Sequence, residues 1–210
     1  MAHGRKVKQG KLECMLGNLK LGFDTLIFNL GTALECPSRK LGLCMLGKKC
    51  YALKAERLYP TCKPYRERQA AYWLGVSTEQ LLHDFSKLID RLRKKPAYLR
   101  LNESGDFYNQ ECVDKAEALA RHLRKVYGIK VYTYSARSDM DFSKCEYLSV
   151  KGSGHDQGNN GRTIARKAED LKGWDVYKER GRVYEVCPMN CRNCFKCKEK
   201  NNMNVVFPLH

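Results

Sequence analysis

The sequence predicts a single-domain α/β fold, a partial or small β/α barrel with a mainly parallel sheet. The chain has 210 residues, the size of one domain, and 43% of them are hydrophobic, enough for one core. Seven short apolar or β-branched stretches alternate with three helical patterns along the chain. Strands that alternate with helices are typical of βαβ units and right-handed crossovers. An open doubly wound sheet is the alternative.

The predicted strands share apolar, β-branched or aromatic sequence. In chain order they are 25–30, 98–101, 131–134, 147–150, 176–177, 183–186 and 205–207, with the fifth and sixth forming a hairpin across Arg180 and Gly181.

Helix signals separate these strands. Ser77, with Gln80 three residues later, is a capping box that opens an amphipathic helix ended by Pro96. A second apolar face runs over 113–127, and Gly128 is its predicted C-cap. A third, short helix is predicted over 163–171.

The chain is predicted to divide into a basic N-terminal extension, residues 1–20, and an α/β domain, residues 21–210, with a cysteine cluster at 187–197. Residues 1–12 contain no apolar stretch of the secretory type. The longest apolar run, 19–34, is interrupted by charged and polar residues and is too short to span a bilayer. We therefore expect no membrane association and a cytoplasmic location.

Charge indicates the kind of partner. Lys and Arg number 39 and Asp and Glu 23, a formal net charge of +16. This balance excludes an acidic binding tail and favours an anionic partner or substrate. Because tyrosines lie among the basic residues near Lys48 and Lys49, nucleic acid is one candidate partner. The small-molecule substrate is not identified by the sequence.

Eleven cysteines are the most informative feature of the composition. Disulfides are rare in a reducing compartment, so metal or iron–sulfur ligation is the leading explanation. Four thiols lie within eleven residues, at Cys187, Cys191, Cys194 and Cys197. This spacing is the bacterial ferredoxin pattern reversed, which favours a [4Fe–4S] cluster. Zinc is the alternative, although structural zinc usually joins two cysteine pairs across a longer loop.

A second group, Cys36, Cys44 and Cys50, follows the first predicted strand. It either completes the C-terminal site or binds a second centre, and Cys62 is a candidate further ligand. Enzymes that cleave S-adenosylmethionine hold a cubane at this place in a barrel. Their usual C-x3-C-x2-C spacing is absent from this group and present in the C-terminal one, so the sequence leaves S-adenosylmethionine binding open.

Polar residues follow further predicted strands at positions that a parallel sheet brings to one rim. Glu103, Asp106 and Arg137 are the candidate catalytic residues, expected to position a substrate there. The neighbouring side chains predicted to bind a substrate or cofactor are Asn102, Ser104 and Ser135. The alternative is that Ser104 and Asp106 only stabilise a turn and that Arg137 is a surface residue. The lone histidines His155 and His210 are expected to be exposed or packed.

Several of these motifs together resemble the phage-encoded "gene product 88" family over about Leu19 to His210. They are Cys36-Pro37, the triplet 50–52, the segments 104–108 and 132–137, and Cys187-Pro188 with the three cysteines that follow. The resemblance implies a phage origin, the host cytoplasm and iron–sulfur binding. The family's layout is similar to that of radical S-adenosylmethionine proteins.

These observations lead to two hypotheses of different classes. The first is an iron–sulfur cluster-binding phage protein that carries out a radical or redox reaction on a small or nucleotide-like substrate. The second is a nucleic-acid or host-protein binding module in which a structural iron–sulfur or zinc site stabilises the fold of the C-terminal segment.

Overall fold

A computed structural model describes residues 5–209, and the predictions that concern residues 1–4 and His210 lie outside the described residues. The ten strands are β1 (Arg5–Gln9), β2 (Leu12–Asn18), β3 (Gly22–Phe28), β4 (Tyr98–Leu101), β5 (Lys130–Ser135), β6 (Leu148–Ser153), β7 (Arg162–Lys167), β8 (Val176–Glu179), β9 (Arg182–Val186) and β10 (Val205–Leu209). The helices are α1 (Pro37–Lys40), α2 (Tyr51–Leu58), α3 (Cys62–Gly75), α4 (Thr78–Asp90), α5 (Gln110–Tyr127) and α6 (Ala168–Leu171), with a 3-10 turn at Gly47–Lys49.

All ten strands form one sheet in the order β1-β2-β3-β4-β5-β6-β7-β10-β9-β8. The pairings from β3 through β7, β10 and β9 are parallel, whereas β1–β2–β3 and β8–β9 are antiparallel. The predicted α/β class with a mainly parallel sheet is therefore confirmed. The barrel is not confirmed, because the sheet is open: antiparallel strands flank the parallel ones on both sides.

All seven predicted strands are present, and the structure adds three. Two of these, β1 and β2, lie in the segment predicted as a basic N-terminal extension; Leu12 and Cys14 are fully buried there. The third is β7, which replaces most of the predicted helix 163–171, so this prediction is wrong for 163–167. Pairing with β6 and β10 holds these residues extended, and α6 keeps only the last four.

The cap predictions are confirmed. The Ser77 side chain accepts a hydrogen bond from the Gln80 backbone N–H at 3.2 Å, and α4 begins one residue later. Gly128 ends α5 in the left-handed conformation, with φ of +71°. Asn109, which was not predicted as a cap, accepts from the Cys112 backbone N–H at the start of α5.

The two faces of the sheet have different coverings. Alternate strand residues pack against α3, α4 and α5 and form the main hydrophobic core, which includes Phe28, Trp73 and Phe85. The opposite face carries aromatic and basic side chains: Tyr98, Arg100, Tyr132, Tyr134 and Lys151. The segment between β9 and β10, residues 187–204, packs on this second face, where Tyr98 contacts Phe195, Lys198 and Glu199.

The loops that follow β3 and β4 meet at a glycine pair. Gly105 has φ of +79°, and a Cβ there would lie 2.5 Å from the backbone nitrogen of Gly31. Because neither backbone can move without disturbing its strand, this contact fixes the two loops against each other.

Replacement of Gly105 by alanine should lower the free energy of unfolding by about 3 kcal/mol, through left-handed strain and overpacking together. Chemical denaturation measures this change. Gly128→Ala is the matched control, since its φ is similar and nothing lies within 4 Å of its Cβ position. We expect the control to lose about 1 kcal/mol; equal losses in the two variants would show that the Gly31 contact is unimportant.

Candidate functional site

The four C-terminal cysteines line one cavity on the second face of the sheet. Its enclosed volume is about 20 Å³, roughly the space of one water molecule. The other lining residues are Leu21, Tyr132, Tyr134, Pro188, Asn190, Lys198 and Phe207. The segment 187–197 turns back on itself above β5 and thereby brings together side chains that are ten residues apart in sequence.

The thiols of this cavity influence one another. Burial raises the pKa of Cys187 to about 11, although the Met189 backbone N–H opposes the rise, and the charges of Cys197 and Cys191 add to it. Burial also raises the pKa of Cys197, whereas a hydrogen bond from the Tyr134 side chain and the positive charge of Lys151 lower it. Cys187 and Cys197 therefore hold their protons at neutral pH, and any metal that binds them must displace these protons.

Two buried lysines lie beside these thiols. Lys151 is fully buried and donates to the carbonyl oxygens of Asn160 and Met203 at 2.6 and 2.7 Å. Lys198 is 3% exposed, and its Nζ lies 4.7 Å from the centre of the Tyr98 ring and 3.9 Å from an Asp24 oxygen. Buried ammonium groups favour a nearby negative charge, such as the one that metal-bound thiolates supply.

Two kinds of metal centre are candidates for this cavity. Within residues 5–209, no three His, Cys, Asp or Glu side chains are placed to hold a metal ion. A single zinc ion needs its sulfur donors at about 2.3 Å from one centre. A cubane is larger and takes each thiolate at a separate corner. Four cysteines are a donor set that either kind of centre uses.

The first cysteine group forms a separate site at the carboxyl ends of the strands. Cys36 and Cys50 are the N-cap residues of α1 and α2, and Cys44 lies between them, before the 3-10 turn. Burial raises the pKa of Cys36 to about 12 and also raises that of Cys44. Backbone N–H groups point at both sulfurs and oppose the rise: Ser38 and Arg39 at Cys36, Leu46 and Gly47 at Cys44. Cys62 lies elsewhere, with Arg66, Glu56 and Glu103 as its charged neighbours.

Asp106 lies at the centre of the rim, which is formed by the loops that follow β3, β4 and β5. Its carboxylate is buried and accepts four hydrogen bonds, which come from the side chains of Ser38 and Ser135 at 2.5 and 2.7 Å and from the backbone of Ala136 and Phe107 at 2.8 and 2.9 Å. Burial raises its pKa, and these hydrogen bonds lower it. Asp106 thus ties the loops after β3, β4 and β5 together.

Arg137 is also engaged within the protein. Its guanidinium makes a bidentate contact with Asp139 at 2.8 Å and donates to the carbonyl oxygens of Phe107 and Tyr108. Only 5% of the side chain is exposed, against 45% for Asp139. In this arrangement Arg137 holds the loop after β5 onto the loop after β4, and an anionic substrate would have to displace Asp139 to reach it.

The remaining predicted residues surround Asp106. Asn102 is buried in the left-handed conformation, with φ of +58°, and neither polar atom of its side chain has a partner within residues 5–209. Ser104 donates to Glu56, and its backbone N–H donates to the Asn29 side chain. The backbone carbonyl of Glu103 accepts from the Tyr51 hydroxyl at 2.7 Å. His155 packs on this rim, with Nε2 2.9 Å from the Ser135 carbonyl oxygen.

A buried ion pair was missed by sequence reasoning. Glu56 of α2 and Arg66 of α3 are 2.9 Å apart, with 4% and 5% of their side chains exposed. The same Glu56 oxygen accepts from the Ala33 backbone N–H and from the Ser104 hydroxyl. Ten residues separate the two charges along the chain, so only the fold of α2 onto α3 reveals the pair.

Arg100 connects the two cysteine sites. Its guanidinium carbon lies 5.2 Å from the centre of the Tyr134 ring, and Nη2 is 3.3 Å from the Tyr51 hydroxyl, next to Cys50. The C-terminal cysteines therefore lie on the face of the sheet and the first group lies at its rim, with one arginine between them. The Asp106 and Arg137 side chains belong to the rim and not to the cavity wall.

This molecule is an open-sheet α/β protein with a cysteine-lined cavity on one face and a cysteine-containing rim. The family model described as "Gene product 88" matches residues 4–147, about two thirds of the chain. The chain belongs to this phage gene-product family. The match includes Cys36, Cys44, Cys50 and the rim residues and stops before the four C-terminal cysteines. Neither the curated proteins nor the solved structures contain a match.

Among residues 5–209, no helix has both the length and the apolar character required to cross a bilayer. The longest helix, α5, carries charged residues throughout its exposed side.

Proposed function

We propose that the protein binds a [4Fe–4S] cluster through Cys187, Cys191, Cys194 and Cys197. The observation that carries this proposal is the convergence of these four side chains on one cavity. Cysteine thiolates are the usual ligands of such clusters. The protein supplies four of them from one short loop, holds the loop on the sheet through Lys198, and provides positive charge through Lys151.

A bound cluster supplies one-electron redox chemistry. Four cysteine ligands leave none of the four irons open, so this site favours electron transfer or structural support over direct binding of a substrate. The walls of the cavity, which are formed by Tyr132, Tyr134 and Phe207, restrict access by water. Such shielding and the nearby lysine charges are among the factors that set a cluster's potential.

The first cysteine group is the candidate second centre. The observation in its favour is the placement of the three residues: Cys36 and Cys50 are the N-cap residues of α1 and α2, and Cys44 lies in the short segment between these helices. Three thiolates would leave one iron of a cubane for a small ligand at the rim. S-adenosylmethionine binding belongs to this site, and its addition should change the paramagnetic-resonance spectrum of the reduced protein.

Protein purified without oxygen should be brown and contain about four iron and four sulfide ions per cluster. Replacement of both Cys191 and Cys194 by serine should abolish the C-terminal cluster and its visible absorption. Cys62→Ser is the matched control, because Cys62 is a partly buried thiol outside both groups, and it should retain full iron content. Colourless wild-type protein that contains one zinc, or a double variant that keeps all its iron, would contradict the proposal.

The binding-module hypothesis makes a different prediction. Affinity for DNA or RNA that depends on the +16 charge should fall steeply as salt is raised. A colourless zinc protein with that salt dependence would replace the redox proposal.

A further inference from the structure

Tyr132 carries a buried hydroxyl without a partner at the wall of the cysteine cavity. The residue is 2% exposed, and within the described chain no group accepts from or donates to its Oη. Buried hydroxyl groups nearly always have a hydrogen-bond partner, and leaving one without a partner is costly. This hydroxyl therefore needs a specific explanation.

The neighbouring tyrosines of the same face have partners. The Tyr98 hydroxyl donates to a Glu199 oxygen at 2.9 Å, and the Tyr134 side chain is hydrogen-bonded to Cys197. The Tyr132 ring is held edge-on between these two rings, with centroids 6.3 and 6.4 Å away. Because its neighbours hold the ring on both sides, Tyr132 cannot turn its hydroxyl towards another part of the protein without disturbing them.

The surroundings of this hydroxyl define what it can bind. The thiols of Cys191 and Cys197 lie close enough that their charge raises the pKa of Tyr132, after the larger rise due to burial and a decrease due to Arg100. Lys198 lines the same cavity, and Lys151 lies near Cys197. A phenol hydroxyl among cationic side chains is suited to donate its hydrogen to an anionic acceptor.

We propose that the Tyr132 hydroxyl donates a hydrogen bond to a sulfur atom of the cluster held by the four C-terminal cysteines, and thereby raises the cluster's reduction potential. The inference rests on the proposed function. Reduction adds negative charge to the cluster, and a hydrogen bond to sulfur stabilises that charge. In this role Tyr132 tunes the potential of the cluster; it accepts no electron and forms no bond to iron.

The test compares the midpoint potentials of wild type, Tyr132→Phe and Tyr72→Phe in redox titrations followed by paramagnetic resonance. Tyr132→Phe should keep its iron and sulfide and shift the reduction equilibrium about tenfold towards the oxidised form, about 59 mV for a one-electron couple. Tyr72→Phe removes a phenol hydroxyl on the other face of the sheet, where it donates to Asp84 at 2.8 Å, and it should leave the potential unchanged.

The outcomes separate the two proposals. A wild-type protein without iron and sulfide overturns the proposed function and this inference with it. A cluster whose potential is the same in wild type and Tyr132→Phe overturns only the inference. As a measurement on the wild type itself, exchange into D2O should shift the iron–sulfur stretching bands in resonance Raman spectra, and unshifted bands would also overturn it.

Discussion

Replacement of Asp106 by alanine should lower the free energy of unfolding by about 4 kcal/mol, the largest effect expected of any single substitution at the rim. Each buried donor that loses its acceptor costs about 1–3 kcal/mol, and relief of the buried charge offsets part of the sum. The donors belong to the loops after β3, β4 and β5. Urea denaturation followed by circular dichroism measures the loss.

Asp141→Ala is the control for this substitution. Asp141 is an exposed acidic residue of the loop after β5, and its carboxylate accepts hydrogen bonds from the backbone N–H and the hydroxyl of Ser143. We expect its denaturation curve to stay close to that of wild type, because these contacts are exposed to solvent. If Asp106→Ala is as stable as the control, the four hydrogen bonds do not join the loops in the way described above.

Glu56→Ala should cost about 3–5 kcal/mol, because it leaves the guanidinium of Arg66 buried without its counter-charge. It also removes the acceptor for the Ala33 backbone N–H. Thermal and chemical denaturation at neutral pH measure the loss. Glu35→Ala removes an exposed partner of Lys40 and should leave the denaturation curve close to that of wild type.

A double variant tests whether the unpaired charge of Arg66 causes the loss of stability in Glu56→Ala. The double variant Glu56→Leu with Arg66→Leu removes both charges, and uncharged replacements of a buried pair are often well tolerated. It should be more stable than Glu56→Ala. If the double variant is the less stable of the two, loss of the Arg66 side chain and of its hydrogen bond to the Ala52 carbonyl outweighs the stranded charge.

Local signals predicted much of the fold. The α4 and α5 helices begin and end within a few residues of their predicted positions because Ser77 and Gly128 act through contacts with their immediate neighbours. The strands of the central sheet were found because they are short, apolar and flanked by helices. Predicting these caps and strands requires no information about residues that are distant in the sequence.

The elements that were missed depend on distant partners. β1 alternates basic residues with Val7, and its extended form is fixed by pairing with β2. β7 begins beside the end of β6 and is held on its other side by β10, which lies forty residues later. The sequence of 162–167 carries no record of that pairing, so a helical interpretation was equally open. A sheet closes into a barrel only if its two edge strands pair with each other, and the sequence does not show whether they do.

In the candidate site, too, local features could be predicted from the sequence and contacts between distant residues could not. Spacing alone singled out the C-terminal cysteines as candidate ligands, and the structure places all four along one cavity. Spacing could not show that Asp106 and Arg137 have their polar atoms engaged by neighbouring loops, nor that Tyr132 faces the cavity. These contacts depend on the pairing register of β4 and β5, which is set only when the sheet assembles.

The strand order has a consequence for assembly during translation. β10 lies between β7 and β9, although both precede it along the chain. The strands up to β7 can pair as they leave the ribosome, whereas the β8–β9 hairpin has no place to attach until β10 arrives. The cysteine segment is the link that joins β9 to β10, so a cofactor captured by that link would draw the two strands together. If the proposed cluster binds there, cluster binding and the pairing of β9 with β10 would be thermodynamically coupled, so that each would stabilise the other.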